Sequence, residues 1–270
     1  MRTYSQRISL TYNSRGVYSL DPSIGCTAGT ADNRNGCYND CYAAKAARMY
    51  GYDFKKTVFR DFQNVKHRVK IVNQIRKIDL PFVRMGTMGD PSEDWQHTLN
   101  ICRWIAPANK EIVIITKHWN KLTDEQLIEL SGYNICVNTS VSALDEPQHL
   151  VNSVNEFLRL KPYCKSVLRI VSADFDFTNP TGHKLAKVQA ELFKHTPTLD
   201  TVLRVSKHNP YVKDGIIKIK ESKFLGKKQY ISKFNRKTYL GHCGTCVEMC
   251  GVYKEKRPIK MIDYQTQLPL

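Results

Sequence analysis

The sequence predicts an α/β protein built from parallel βαβ units, and three observations predict it. Short apolar runs with strand character alternate with longer helix-patterned stretches from residue 17 to residue 205. The run Glu111-Ile112-Val113-Ile114-Ile115-Thr116 has an unbroken apolar centre, the pattern of a strand buried on both faces. Six such runs occur in the order strand, helix, strand. Six units fit either an open doubly wound sheet or a partial barrel.

The strands in order are Val17–Leu20, Phe82–Thr87, Glu111–Thr116, Asn134–Val141, Ser166–Val171 and Thr201–Val205. The helices fall between them. Asp40–Tyr50 is rich in Ala, Lys and Arg, all good helix formers. Asp61–Ile78 places Phe62, Val65, Val69, Ile71, Val72 and Ile75 at helix-like spacing. Ser92–Ile105 opens on Ser92-Glu93-Asp94, a cap and acidic first turn, and Thr123-Asp124-Glu125-Gln126 repeats that signal. Glu146–Leu160 and Gly182–His195 fill the remaining gaps.

Composition bounds the function. A 41% hydrophobic content with 10% aromatics excludes a disordered chain. No run reaches the roughly 18 apolar residues of a membrane helix, and Met1-Arg2-Thr3-Tyr4-Ser5 lacks a signal-peptide core. The expectation is a soluble, cytoplasmic protein with no membrane partner. Lys and Arg number 41 against 25 Asp and Glu, a formal charge of +16 that favours a polyanionic partner. From Arg204 to Lys260 there are 15 Lys and Arg against four acids, interleaved with Phe224, Tyr230, Phe234 and Tyr239. That mixture suits nucleic acid, cations on phosphates and rings on bases, or else a basic extension whose rings anchor it to the body. Residues 211–270 are read as this extension and 1–210 as the main domain.

Nine cysteines in a reducing compartment point away from disulfides. Cys102, Cys136 and Cys164 stand singly among apolar neighbours and read as buried small hydrophobes. The other six form two groups. Cys26, Cys37 and Cys41 lie in the loop 25–42 after the first strand, with Gly25, Gly29, Asp32, Asn33, Asn35 and Gly36 to supply tight turns. Three thiolates can hold three irons of a [4Fe–4S] cube and leave the fourth open, whereas a structural zinc is closed by four ligands. Cys243, Cys246 and Cys250 form a C-x2-C-x3-C group beside His242. Its readings are a second iron–sulfur cluster, a structural zinc, or convergence with the first group on one centre. No Walker loop, GxSxG elbow or GxGxxG turn after a strand is present.

These features together resemble the radical SAM superfamily. The likeness rests on the three-cysteine loop with its aromatic neighbour (Cys41-Tyr42), the six strand–helix units, and the turn Met85-Gly86-Thr87-Met88-Gly89-Asp90 after the second strand. The runs Cys41-Tyr42-Ala43-Ala44-Lys45 and Ile115-Thr116-Lys117 look like a phage-type group within that superfamily. The superfamily's common spacing is C-x3-C-x2-C, whereas here it is Cys26-x10-Cys37-x3-Cys41.

The resemblance covers about residues 15 to 210. It implies a partial (β/α)6 TIM-like barrel, a catalytic [4Fe–4S] cluster on Cys26, Cys37 and Cys41, and S-adenosylmethionine as cofactor. It also implies an electron donor such as flavodoxin. By strand position, Tyr42, Gly86, Thr87, Gly89 and Asp90 would meet the methionine end of the cofactor. Asn138, Ser140 and Ser142 would meet the ribose or the substrate, and Arg169 the methionine carboxylate. Lys117, Arg204 and Lys207 also stand at carboxyl ends of strands, where barrel sites gather. His118, His183 and His208 follow strands and are candidates for acid–base work.

The function expected is hydrogen abstraction by a 5′-deoxyadenosyl radical. With the basic charge, the resemblance implies modification or isomerisation of a nucleobase in DNA, such as a hypermodified thymine of a phage genome in the host cytoplasm. Two alternatives stand beside it. One is a zinc-dependent nucleic-acid-binding protein without catalysis. The other is a radical SAM enzyme acting on a small metabolite or peptide.

Overall fold

The structure is a computed structural model of the 270-residue chain and describes residues 4–30, 37–224 and 226–252. Asp32, Asn33, Asn35 and Gly36 of the cysteine loop, and the cations beyond residue 252, lie outside the described residues.

The described residues form a mixed α/β fold with eight α-helices and one dominant sheet. That sheet has nine strands: β1 (Thr11–Tyr12), β2 (Tyr18–Ser19), β3 (Phe82–Met85), β4 (Glu111–Thr116), β5 (Ile135–Val141), β6 (Lys165–Ser172), β7 (Thr198–Val205), β8 (Lys220–Phe224) and β9 (Lys227–Ser232). Strands β2 to β7 are parallel and lie side by side in chain order. The edges are antiparallel, β1 on β2 and the β8–β9 hairpin on β7. The basic C-terminal stretch thus supplies two further strands of the same sheet.

Six longer helices are α1 (Tyr42–Met49), α2 (Val65–Arg76), α3 (Trp95–Ile105), α4 (Asp124–Ser131), α5 (Pro147–Leu160) and α6 (Pro180–Leu192). Their starts follow local chemistry. Asn64 caps α2, so Asp61, the first residue of the expected Asp61–Ile78 helix, instead ends a short strand, Val58–Asp61, and Phe62 and Gln63 link the two. Asp94, two residues beyond the expected Ser92, caps α3, because Asp90 and Pro91 first set a 3-10 turn. Thr123 and Gln126 form a complete capping box on α4.

Pairing register divides the sheet's side chains cleanly. Val83, Met85, Ile112, Ile114, Ile135 and Val137 face α2, α3 and α4, burying Ile71, Ile75, Leu99, Leu127 and Leu130. Val141, Leu168 and Ile170 continue that face beneath Phe157 of α5 and Leu192 of α6. Each such side chain, fully buried, contributes about 1.5–3 kcal/mol of transfer free energy. The helices α2 to α6 therefore all pack on one face.

The opposite face carries Phe82, Val113, Cys136, Val167 and Leu199, and is covered by Val252 and the cysteine-bearing turn before it. Cys102, Cys136 and Cys164 have their thiols among the packed apolar side chains. No helix among the described residues is long and apolar enough to cross a membrane.

Candidate active site at the strand ends

The turn after β3 is organised by an acid from the preceding loop. Asp21, buried, accepts the backbone N–H groups of Gly86 (3.0 Å) and Thr87 (2.7 Å) on one oxygen and of Met88 (3.1 Å) on the other. Burial pushes the Asp21 pKa up, against the pull of those donors and of Arg60 and Arg84. Gly86 has φ +90°, and a Cβ there would stand 2.1 Å from the Ile115 carbonyl oxygen. Gly89 bridges Gly25 in parallel, which sets Cys26 beside this turn. The Tyr42 hydroxyl donates to the Thr87 carbonyl, so α1 also docks on the turn. The Asp90 carboxylate is filled by this chain's own donors: Ser92 N and Oγ, Thr116 Oγ1 and Lys117 N, at 2.6 to 2.9 Å.

The first cysteine loop lies across the carboxyl ends of several strands. The Ala28 N–H donates to Glu93 (3.1 Å), beyond β3. Lys117, after β4, donates to the Tyr38 hydroxyl (2.7 Å) and to Asp145 (2.6 Å), after β5. Asn209, after β7, donates to the Tyr38 carbonyl (2.8 Å), and the Ser206 N–H donates to Asp40. Tyr38 and Asn39 hold φ of 59° and 58°, a left-handed turn between Cys37 and Cys41. Cys41 is the N-cap residue of α1.

The thiols here are electrostatically linked, Cys26 with Cys37 and Cys37 with Cys41. Burial pushes the Cys26 thiol far up, helped by Asp90 and Glu93, while the Gly29 N–H donates to its sulfur (3.2 Å). Burial pushes Cys37 up to about 12, with Lys117 pulling the other way. Such thiols become thiolates only with a cation at the sulfur, and that is what a metal centre supplies. Among the described residues, no three His, Cys, Asp or Glu side chains converge closely enough to hold one metal ion. A cubane binds its thiolates on separate iron corners and so accepts a wider set than a single ion. In its donor chemistry the loop fits the cube.

Beside Cys37 opens a pocket of about 240 Å³, lined among others by Tyr38, Trp119, Asp145 and His149. Trp119 and His149 stack there with ring centres 4.2 Å apart. Lys117 and Asp145 form a buried ion pair, with side chains 9% and 7% exposed. Burial works against the lysine's charge, but Asp145 and Tyr38 outweigh it and hold its pKa well above the ordinary value.

The second cysteine group sits against the helix-free face of the sheet. The Asn138 amide donates to the Cys250 carbonyl (2.8 Å), and Cys243, Met249 and Cys250 pack on Val113, Cys136 and Val167. His242 spends its Nδ1 accepting from the Gly244 N–H (3.3 Å). The charges of Cys243 act on Cys250 and Cys246, so this group is linked within itself, as the first group is. Burial raises the Cys243 pKa, and Arg84 and Arg15 oppose it.

Of the other expected residues, Asn138, Ser140 and Arg169 share the helix-free face. Ser142 is used internally, its hydroxyl bonded to the Val171 carbonyl (2.8 Å). His118 is buried, with Nε2 on Thr139 (2.9 Å) and its pKa pushed down to about 3 by burial and then by His149. Lys207, His183 and His208 are exposed. Three of the four rings of the basic stretch are tied to the protein: Phe224 lies under Arg15, Phe234 stacks on Phe193, and Tyr239 donates to the His242 carbonyl.

Sequence reasoning missed Asp21, Tyr38, Asp145 and Arg84. Only Arg84 carried a signal, a charge inside the apolar run Phe82-Val83-Arg84-Met85. No protein-family model matches the chain, and no curated protein shows significant similarity to it.

Proposed function

We propose that the protein is a radical SAM enzyme. The observation that carries this reading is the cysteine loop, anchored across the ends of sequential parallel strands whose helices lie on one face. A one-sided sheet of six ordered strands is the layout of a partial (β/α)6 barrel, and its carboxyl ends are where such folds gather their chemistry. A reduced [4Fe–4S] cluster on Cys26, Cys37 and Cys41, when bound, would supply the electron that splits S-adenosylmethionine into methionine and a hydrogen-abstracting 5′-deoxyadenosyl radical.

The chain's own part is placement and shielding. Asp21 fixes the Gly86–Met88 turn beside the cluster loop, and the Thr87 carbonyl, accepting from Tyr42, and the Met88 carbonyl, accepting from the Gly25 N–H, lock α1 and the start of the loop to it. Trp119, His149 and Tyr38 wall the pocket beside Cys37, and rings of this kind suit a purine. Lys117 and Asp145, held by each other, keep a rigid polar floor there. Cys243, Cys246 and Cys250 would hold a second iron–sulfur cluster. An electron donor such as flavodoxin and a cytoplasmic setting go with this chemistry. The substrate is a nucleobase, in DNA or as a nucleotide, in keeping with the exposed Lys220, Lys223, Lys227 and Lys228 on the β8–β9 hairpin.

The test is anaerobic purification followed by iron and sulfide analysis and a SAM-cleavage assay. The brown, iron-bearing protein should cleave S-adenosylmethionine under dithionite. Cys26→Ala, Cys37→Ala and Cys41→Ala should each abolish cleavage, while Cys243→Ala should lower iron content yet leave some. Colourless protein with stoichiometric zinc after reconstitution would overturn the proposal.

A further inference from the structure

Two arginines share the helix-free face of the sheet, and two more lie within reach of their charge. Arg84 lies two residues from Phe82 on β3, and Arg169 two residues from Val167 on β6; both neighbours pack on that face. Arg204 stands partly buried on β7, the strand beside β6, within reach of the charges of Arg15, Arg169 and Arg84. Arg15 reaches in from the β1–β2 turn, its guanidinium 4.9 Å from the centre of the Phe224 ring. The four charges act on one another. Burial, then Arg15 and Arg169, bring the Arg204 pKa down to about 10.

No guanidinium of this set has a hydrogen bond or ion pair with a carboxylate among the described residues. Arg84 is only 9% exposed, and its Nε has no hydrogen-bond partner. The groups that favour its charge are Cys250, Tyr42 and Cys243 and then Asp21, the one carboxylate among them, which already serves three backbone N–H groups. Four like charges partly removed from water repel one another unless an anion joins them. One methionine carboxylate would occupy a single guanidinium fork. Four forks suit a tetrahedral dianion with three free oxygens.

We infer that Arg15, Arg84, Arg169 and Arg204 form the binding site for a phosphate monoester of the substrate. The inference rests on the radical SAM reading only for the word substrate. The source is a free nucleotide or the 5′-terminal phosphate of a DNA strand, because an internal phosphodiester would have to bring two chain ends past a nearly buried Arg84.

The experiment is calorimetry on the iron-loaded full chain without S-adenosylmethionine. Thymidine 5′-monophosphate is compared with thymidine, and a 5′-phosphorylated oligonucleotide with its 5′-hydroxyl twin. Inorganic phosphate is the competitor. The phosphorylated probe should bind at least about tenfold more tightly than its phosphate-free twin in one of these pairs, as charge-assisted hydrogen bonds imply. The pair that shows it identifies the source. Arg169→Gln and Arg204→Gln should each erase most of that difference, and Arg169→Lys should restore part of it. Arg15→Gln, in a turn, serves if the strand variants fail to fold.

Equal binding of phosphorylated and phosphate-free probes would overturn the inference. So would arginine variants that lose iron from the Cys243 group while keeping phosphate affinity, since the arginines would then serve only to balance cluster charge. Phosphate binding without SAM cleavage would leave this site standing and remove the radical SAM reading.

Discussion

Replacing Lys117 with Met strands a carboxylate in the interior. In the native protein Lys117 Nζ stands 2.6 Å from Asp145 and 2.7 Å from the Tyr38 hydroxyl, and both charged side chains are less than a tenth exposed. After the substitution Asp145 keeps only the Ser142 N–H, at 2.7 Å. Removing one member of a buried pair costs about 3–5 kcal/mol. In a domain of this size that corresponds to roughly 6–20 °C in Tm. The folded lysine's pKa is raised above its ordinary 10.5, so the pair's contribution is complete below that value and is lost only as pH rises through the higher one. A measurement at pH 7 therefore reads it in full. The assay is urea unfolding followed by tryptophan fluorescence, for Lys117→Met, Asp145→Leu and the double variant, with equal m values required. The double variant should recover part of the loss, because two apolar side chains replace two charges; the Ser142 N–H left without its acceptor keeps the recovery incomplete. A cost below about 1 kcal/mol for Lys117→Met, or strict additivity in the cycle, would refute the reasoning.

Two further outcomes follow from the same region. His118 is held neutral by burial, with its pKa pushed from 6.5 to about 3, so the unfolded chain takes up the proton first as pH falls. Stability should drop by about 2 kcal/mol between pH 6.5 and 5 on this account. His118→Asn, which tolerates the φ of 54° at this position, should lose that slope in a pH series of urea titrations. Gly86→Ala forces a Cβ to within 2.1 Å of the Ile115 carbonyl oxygen at φ +90°, so it should cost roughly 2 kcal/mol or more by calorimetry; an unchanged Tm would show that the Asp21-bound turn is not built as described.

The strands were legible because their signals are local. Glu111–Thr116 reads as a buried strand from its own apolar run, and it is β4 with the same bounds. The Thr123 cap and the acidic turn after it lie within four residues and are formed as read, with Gln126 completing a capping box. The site's wiring was not legible, because its partners are distant in sequence and chosen by the fold. Asp21 serves backbone groups 65 to 67 residues away. Nothing near Asp21 or near Gly86 announces that pairing. The aromatic residues of the basic stretch show the same limit. Phe234 stacks on Phe193, with ring centres 5.4 Å apart, and composition alone cannot tell an anchoring ring from one that awaits a base. The face of the sheet on which Arg84 sits depends on register and on which side the helices take. Both are decided by the packing of Val83 and Met85 on α2 and α3, not by Arg84 itself.

The segment from Cys243 to Val252 covers a sheet face whose every strand precedes it in the chain. On a ribosome, β2 to β7 are complete before the residues that cover Phe82, Val113 and Val167 have been made. That face is therefore the last to dry, and its closure joins residues more than a hundred positions apart, such as Asn138 and Cys250. Until then Arg84 and Arg169, on the same face, stay open to water. Chain order thus leaves that face open until the Cys243–Val252 segment has been made.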